Sequence, residues 1–237
     1  MIDQTTFLNN STNDTAGGSG GAIYLLDDEN YPREGDANAA LISGSYFEGN
    51  ETLGGGGGLW FLTESGRLVL QNNTFFDNRT TASMGMGGAV ALVGGPTEVT
   101  HCTFANNHAQ FHGGGIQAAQ DAQVTVSNSL FADNTSDRDG GWAWFHANRE
   151  LDDGGGNIQW LEAALEIDSN SNKLVTAGAD VSDPQLMSPQ DNGGATHTMA
   201  LTTGSPAVDA GVDGGPQADQ RGEARNGAPD VGAYELQ

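Results

Sequence analysis

The sequence predicts an all-β protein built as a single coil of short parallel strands, and three observations carry that expectation. Glycine is abundant, at 36 of 237 residues, which penalises long helices and favours turns and strands. A short motif recurs at nearly constant spacing. Most recurrences lead into a glycine cluster and an apolar run of strand length. Units of this kind cannot bury their own apolar face, so successive units must stack.

The motif is Phe-x-x-Asn, found at Phe7/Asn10, Phe47/Asn50, Phe75/Asn78, Phe104/Asn107 and Phe131/Asn134. The phenylalanines lie 40, 28, 29 and 27 residues apart. Five positions upstream of each stands an aliphatic residue: Ile2, Ile42, Leu70, Val99 and Val126. Two positions upstream stands a small or polar one: Thr5, Ser45, Asn73, Cys102 and Ser129. The aliphatic and Phe positions are expected to form columns inside the solenoid. The Asn positions are expected to form a ladder, each amide bonding to the next coil. The longest interval holds LLDDENYPREGDANAA (25–40), which reads as a loop thrown out of one coil.

The glycine clusters open the runs GGAIYL, GGGLWFL, GGAVALV and GGGIQAA. Side chains alternate along a strand. Aligning the clusters places Ile23, Leu59, Val90 and Ile116 inside, with Leu25, Phe61, Leu92 and Ala118 in a second inner column. Ala22, Gly58, Ala89 and Gly115 then face out, as do Tyr24, Trp60, Ala91 and Gln117. Extending that register to GGWAWFH (140–146) sets Ala143 and Phe145 inside. Trp142, Trp144 and His146 point out and lengthen the row begun by Tyr24 and Trp60.

The GGAI and Phe-x-x-Asn repeats resemble those of bacterial polymorphic outer-membrane proteins. The tail is similar to that of secreted bacterial proteins of the pectin-lyase-like class. That similarity rests on DPQL (183–186), DNGGATHTMAL (191–201), GSPAVDAG (204–211), DQRGEAR (219–225) and DVGAYE (230–235). Together these resemblances imply a right-handed parallel β-helix, secreted or displayed on a cell surface, and they assign no catalytic residue. The expected organisation is one domain, with repeat coils over 1–156 and irregular closing coils and tail over 157–237. Proteins of this group begin with a signal peptide and a capping element. MIDQTTFLNN has neither the basic nor the apolar region of a signal peptide. The first coil is therefore expected to be open, needing a stacking partner or disorder to cover it.

Charge narrows the partners. Asp plus Glu number 31 against 8 Lys plus Arg, a net charge of −23. Such a surface repels phosphate backbones and anionic lipid, which excludes nucleic acid. No apolar run approaches the 18 or more residues of a membrane span. The single cysteine, Cys102, excludes an intrachain disulfide and any cysteine-based zinc site. Its place in the small-residue column predicts a buried, inert thiol.

The outer aromatic row carries the functional expectation: an extracellular module for adhesion or glycan binding. Sugar rings present apolar faces that pack on exposed Trp and Tyr. The expected ligand-binding residues are Tyr24, Trp60, Trp142, Trp144 and His146, with Arg138, Asp139 and Arg149 flanking them. The partner is a neutral glycan or another surface protein. Against this stands the expectation that the tail from residue 157 folds over the row and buries the rings. Calcium is the one candidate ion, at Asp152 and Asp153 or within 209–220, because acidic turns offer hard oxygen ligands. The glycine-aspartate calcium repeat itself is not matched, since Ala22 stands where its Asp belongs.

The alternative is a carbohydrate-active enzyme. A lyase would cast Arg138 or Arg149 as base beside Asp139 and Asp152, and a glycosidase would need two carboxylates at a set separation. An esterase-like triad is the third reading. Ser19 in GGSGG matches the nucleophile-elbow pattern, but it precedes a strand where that elbow precedes a helix. His101, His108 and His112 suggest a metal site, although His101 fills a repeat slot held elsewhere by Asn72 and Asn128. In the tail, Asp219, Arg221, Arg225 and Asp230 are expected to form an ion-pair cluster that closes the last coil. LEAAL (161–165) reads as a helical turn.

Overall fold

Each repeat contributes up to four short strands, and equivalent strands from successive repeats pair in parallel. The computed structural model describes residues 1–13, 18–27, 39–63, 66–137, 145–161 and 173–237. Sheet A stacks Ile2–Asp3, Ala39–Ser43, Arg67–Gln71, Pro96–Thr100, Gln123–Ser127 and Asp152–Asp153. Sheet B stacks Thr6–Leu8, Tyr46–Glu48, Thr74–Phe76, Thr103–Ala105, Leu130–Ala132, Ile158–Trp160 and Asp180–Val181. Sheet C holds Ser11–Thr12, Glu51–Thr52, Arg79–Thr80, His108–Ala109 and Thr135–Ser136. Sheet D holds Ile23–Asp27, Leu59–Thr63, Val90–Val93 and Ile116–Ala118. Four complete coils result, and a fifth joins sheet D through the bridge between Ile116 and Ala147.

The predicted columns are present in register. Phe7, Phe47, Phe75, Phe104 and Phe131 pair successively. Their rings stack at centroid distances of 4.7, 4.5, 4.9 and 4.9 Å. Ile2, Ile42, Leu70, Val99 and Val126 form the aliphatic column beside them. Stacked rings at this spacing bury most of their faces and add attraction beyond the area term.

The asparagines form the expected ladder. The Asn10, Asn50, Asn78 and Asn107 Nδ2 atoms donate to the Oδ1 of the next Asn at 2.8, 2.8, 2.9 and 2.9 Å. Each of those Oδ1 atoms also accepts the backbone N–H of the preceding Asn. The second Nδ2 hydrogen of Asn50, Asn78, Asn107 and Asn134 reaches back to the carbonyl of the Phe one coil earlier. Both donors and the acceptor of each inner amide are thus used, which a buried amide requires.

Corners account for much of the glycine. Gly20, Gly56, Gly87 and Gly113 all have φ near +70° (70, 67, 71 and 71°), where a Cβ is costly. The glycine after each is needed for a different reason. A Cβ on Gly21, Gly57 or Gly88 would stand 2.2, 2.2 or 2.4 Å from a carbonyl oxygen of the following coil. At the corner after sheet A the left-handed position is filled by Asn72, His101 and Asn128, so His101 does occupy the Asn slot.

Residues 183–237 lie along the outside of sheet B. Met199, Leu201, Ala207 and Val231 pack on Ala105, Leu130, Ala132 and Ile158. Polar contacts lock this layer to the corners: Asn128 exchanges two hydrogen bonds with the Val212 backbone, and Thr74 donates to Gln220 Oε1 at 2.7 Å. The ion cluster differs in one partner from the expectation. Arg221 pairs with Asp219 at 2.8 Å, but Arg225 pairs with Glu235 at 3.1 Å. Asp230 instead accepts the backbone N–H groups of Asp209 and Leu236, and gives Arg225 its carbonyl. Arg225 also donates to Asn72 Oδ1, so the cluster ties the tail to the coil. Cys102 is fully buried, and burial pushes its thiol up to about 12.

Replacing Asn107 with Ala strands the backbone and side-chain N–H donors of Asn78 in a buried site and removes the amide bond to the Phe75 carbonyl, while Asn134 Oδ1 keeps the backbone N–H of residue 107. The expected loss is about 3 kcal/mol of unfolding free energy, measured as a urea midpoint shift at pH 7. A loss under about 0.5 kcal/mol would show that the ladder adds little to the backbone pairing.

Candidate functional site: the outer face of sheet D

Tyr24 and Trp60 occupy one outward register position on neighbouring coils. Their rings are nearly coplanar in orientation, 3° apart, with centroids at 6.4 Å. Tyr24 is 53% exposed and Trp60 is half-buried. The Trp60 ring lies over Gly55: a Cβ there would meet Cζ3 at 2.3 Å. The long glycine run 54–58 therefore serves two ends, the corner and a bed for the indole. Leu26, 50% exposed, continues the apolar surface one outward position along the same strand. Ala91 and Gln117 follow Trp60 in the column, as expected.

The described residues of the tail do not cover this pair. They dock on sheet B, a different face of the coil, and Tyr24 keeps half of its surface in solvent. The expectation that the closing segment buries the row is corrected for Tyr24 and Trp60.

His146 is also corrected. It does not point outward; it is 3% exposed and packs edge-on to Phe131 at 6.2 Å. Two assumptions misplace it. The strand register runs four residues later than the GG at 140–141 suggests, because Ala147 bridges Ile116 and Gly115 N–H bonds to the His146 carbonyl. The slot itself also faces inward. Ala89, in the same column, is 0% exposed, and a Cβ on Gly115 would lie 3.4 Å from the Phe131 ring. Alternation fails here because the slot sits at a corner, where the chain turns between strands.

In that slot His146 ends the asparagine ladder. Asn134 Nδ2 donates to His146 Nδ1 at 3.3 Å, which puts the imidazole hydrogen on Nε2. Burial pulls the ring down to about 3 from the ordinary 6.5. His101 is held at about 4, first by burial and then by the Arg225 cation. It contacts Asn128 at 3.1 Å.

The other expected residues are placed as follows. Arg138, Asp139, Trp142 and Trp144 lie outside the described residues. The Arg149 guanidinium is committed to backbone, donating to the Ala122 carbonyl at 2.6 Å and more weakly to those of Ala119 and Glu150. Asp152 is exposed. Asp153 accepts the Gly155 and Gly178 N–H groups at 2.9 and 2.8 Å and the Asn157 amide at 3.1 Å. Burial would raise its carboxyl, but these donors outweigh it and hold it below the usual range. This is the geometry of a carboxylate that closes a turn. His108 bonds Thr135 and approaches Asp137, while His112 stacks on Phe111. Among the described residues no three His, Cys, Asp or Glu side chains gather to hold a metal, and no helix is long and apolar enough to cross a membrane.

Sequence reasoning missed Trp160. It stands in the outward column of sheet B that holds Phe76, Ala105 and Ala132. The missing signal is the Phe-x-x-Asn motif, since Gln159 fills the Phe position in that coil.

Residues 2–172, most of the chain, match the family described as the right handed beta helix region. No curated protein matches the chain.

The two buried histidines set an acid sensitivity. Unfolded, each binds a proton near 6.5; folded, only near 4 or 3. The unfolded state therefore holds more protons below about pH 6.5, and stability falls as pH drops from there toward the folded values. His101→Asn, which installs the residue of the neighbouring coils, is expected to recover about 2 kcal/mol of the loss between pH 7 and pH 5. Urea unfolding of both proteins at the two pH values measures it. Equal losses in both would mean that His101 is protonated in the fold.

Proposed function

This chain belongs to the right-handed β-helix family, and from that premise we propose that it is an extracellular surface module that grips uncharged glycan on the outer face of sheet D. The observation that carries the reading is the Tyr24–Trp60 pair, two aligned rings on successive coils with Tyr24 open to solvent. Rings spaced along one face offer successive sugars of a chain the flat apolar surface their C–H faces need. The net charge of −23 favours neutral over uronic or sulfated polymers. Gly55 supports the role, because its missing side chain lets the indole lie down against the coil.

Electrophoresis through gels holding neutral or acidic polysaccharides tests this. Retardation is expected in a neutral gel, and Tyr24→Ala or Trp60→Ala should weaken it about tenfold each, consistent with roughly 1.4 kcal/mol per ring. Equal retardation of wild type and both variants would remove the platform. A cleared zone in the stained polysaccharide would mean cleavage and favour the enzyme reading.

A further inference from the structure

The tail also builds a cleft. In the outward column of sheet B, Ala105 and Ala132 lie between Phe76 and Trp160. Two small residues between two rings leave a trench about two strands wide. The tail roofs one side of it with Leu186 and Met199, enclosing about 300 Å³. Pockets of this size suit a single side chain or a small molecule.

The charged groups lining it have one sign. Asp133 comes from the left-handed corner after sheet B and Asp183 from the tail, and among the described residues no Lys, Arg or His lines the cleft. Asp183 Oδ1 accepts the Gln185 N–H at 2.8 Å, which fixes the carboxylate on the rim and leaves Oδ2 for a ligand. The corner row carrying Asp133 also holds Asp77 one position from its own strand end. The whole chain adds a net −23. Such a hollow concentrates cations and repels anions.

We propose that this cleft binds an alkyl cation, the side chain of an arginine or lysine from a partner protein. The methylene stem lies along the partly exposed Phe76, Trp160 and Leu186 above the buried Ala105 and Ala132, as long charged side chains lay their stems on apolar surface. The head group sits between Asp133 and Asp183, beside the Trp160 ring, whose face attracts a cation. A neutral sugar would hydrogen-bond these carboxylates but draw no benefit from their charge, so salt dependence separates it from a cation. The site is independent of the Tyr24–Trp60 platform, which is on another face.

The test is titration of the intact protein with three probes: a blocked Gly-Arg-Gly peptide, agmatine and methyl glucoside, at about 20 and 300 mM salt. The peptide is expected to bind, at least fivefold more weakly at the higher salt. Asp183→Asn keeps the acceptor for Gln185 N–H but removes the charge, and should weaken binding about tenfold. Trp160→Phe identifies which indole signal responds. Tyr24→Ala should bind the peptide like wild type while losing its glycan retardation, so the two sites succeed or fail separately. Tighter binding of peptide than of agmatine assigns the site to a partner chain; equal binding supports the cation site but assigns it to a free amine. Methyl glucoside binding that displaces the peptide, salt-independent binding, an unaffected Asp183→Asn, or no binding of either cation would each overturn the proposal.

Discussion

Parallel strands stacked by backbone bonds alone can slip, and a slip of one residue would turn every inner side chain outward. The asparagine ladder forbids that slip. An Asn at one position per coil can satisfy two donors and its acceptor only when the coils are in step, as Asn50, Asn78 and Asn107 are. Once they are, the phenylalanines stack, the glycine pairs meet the carbonyls of the following coil, and Tyr24 comes to lie beside Trp60. The surface row is a consequence of a buried amide column.

The ladder also explains its own end. A terminal Asn134 would leave an amide hydrogen buried without an acceptor, a cost comparable to a lost hydrogen bond. His146 supplies that acceptor through Nδ1, and a neutral imidazole is the only form that can. The acid sensitivity of the fold follows directly from this role.

The tail solves a problem that the coil creates. Sheet B presents Leu130 and Ile158 outward, an apolar strip that water would disfavour. Covering it brings Arg221 and Arg225 into a nearly dry layer, where they are tolerable only with Asp219 and Glu235 beside them and the carbonyls of Asn192, Glu235, Asp230 and Gly232 on their terminal nitrogens. The motifs DQRGEAR and DVGAYE therefore encode one paired cluster. The expected cluster set Asp219 and Asp230 as the acids beside Arg221 and Arg225. The structure pairs Arg225 with Glu235 because Asp230 is already engaged by two backbone N–H groups.

Periodicity alone determined the fold class, the Phe and aliphatic columns, the ladder and the outward direction of Tyr24 and Trp60. Those features repeat every coil, so one sequence contains several readings of each. Whatever occurs once was beyond it. His146 was misplaced because a second GG at 140–141 imitates the corner signal, and because alternation breaks where the chain turns. The docking face of the tail and the trench at Ala105 and Ala132 depend on surfaces far apart in the chain, and the partner of Arg225 depends on which nearby carboxylate the fold leaves unengaged. Repetition along the chain specifies how neighbours stack. Only the folded shape decides which outer face the non-repeating segment finds, because that choice is made by complementarity between surfaces that exist only once the coil has formed.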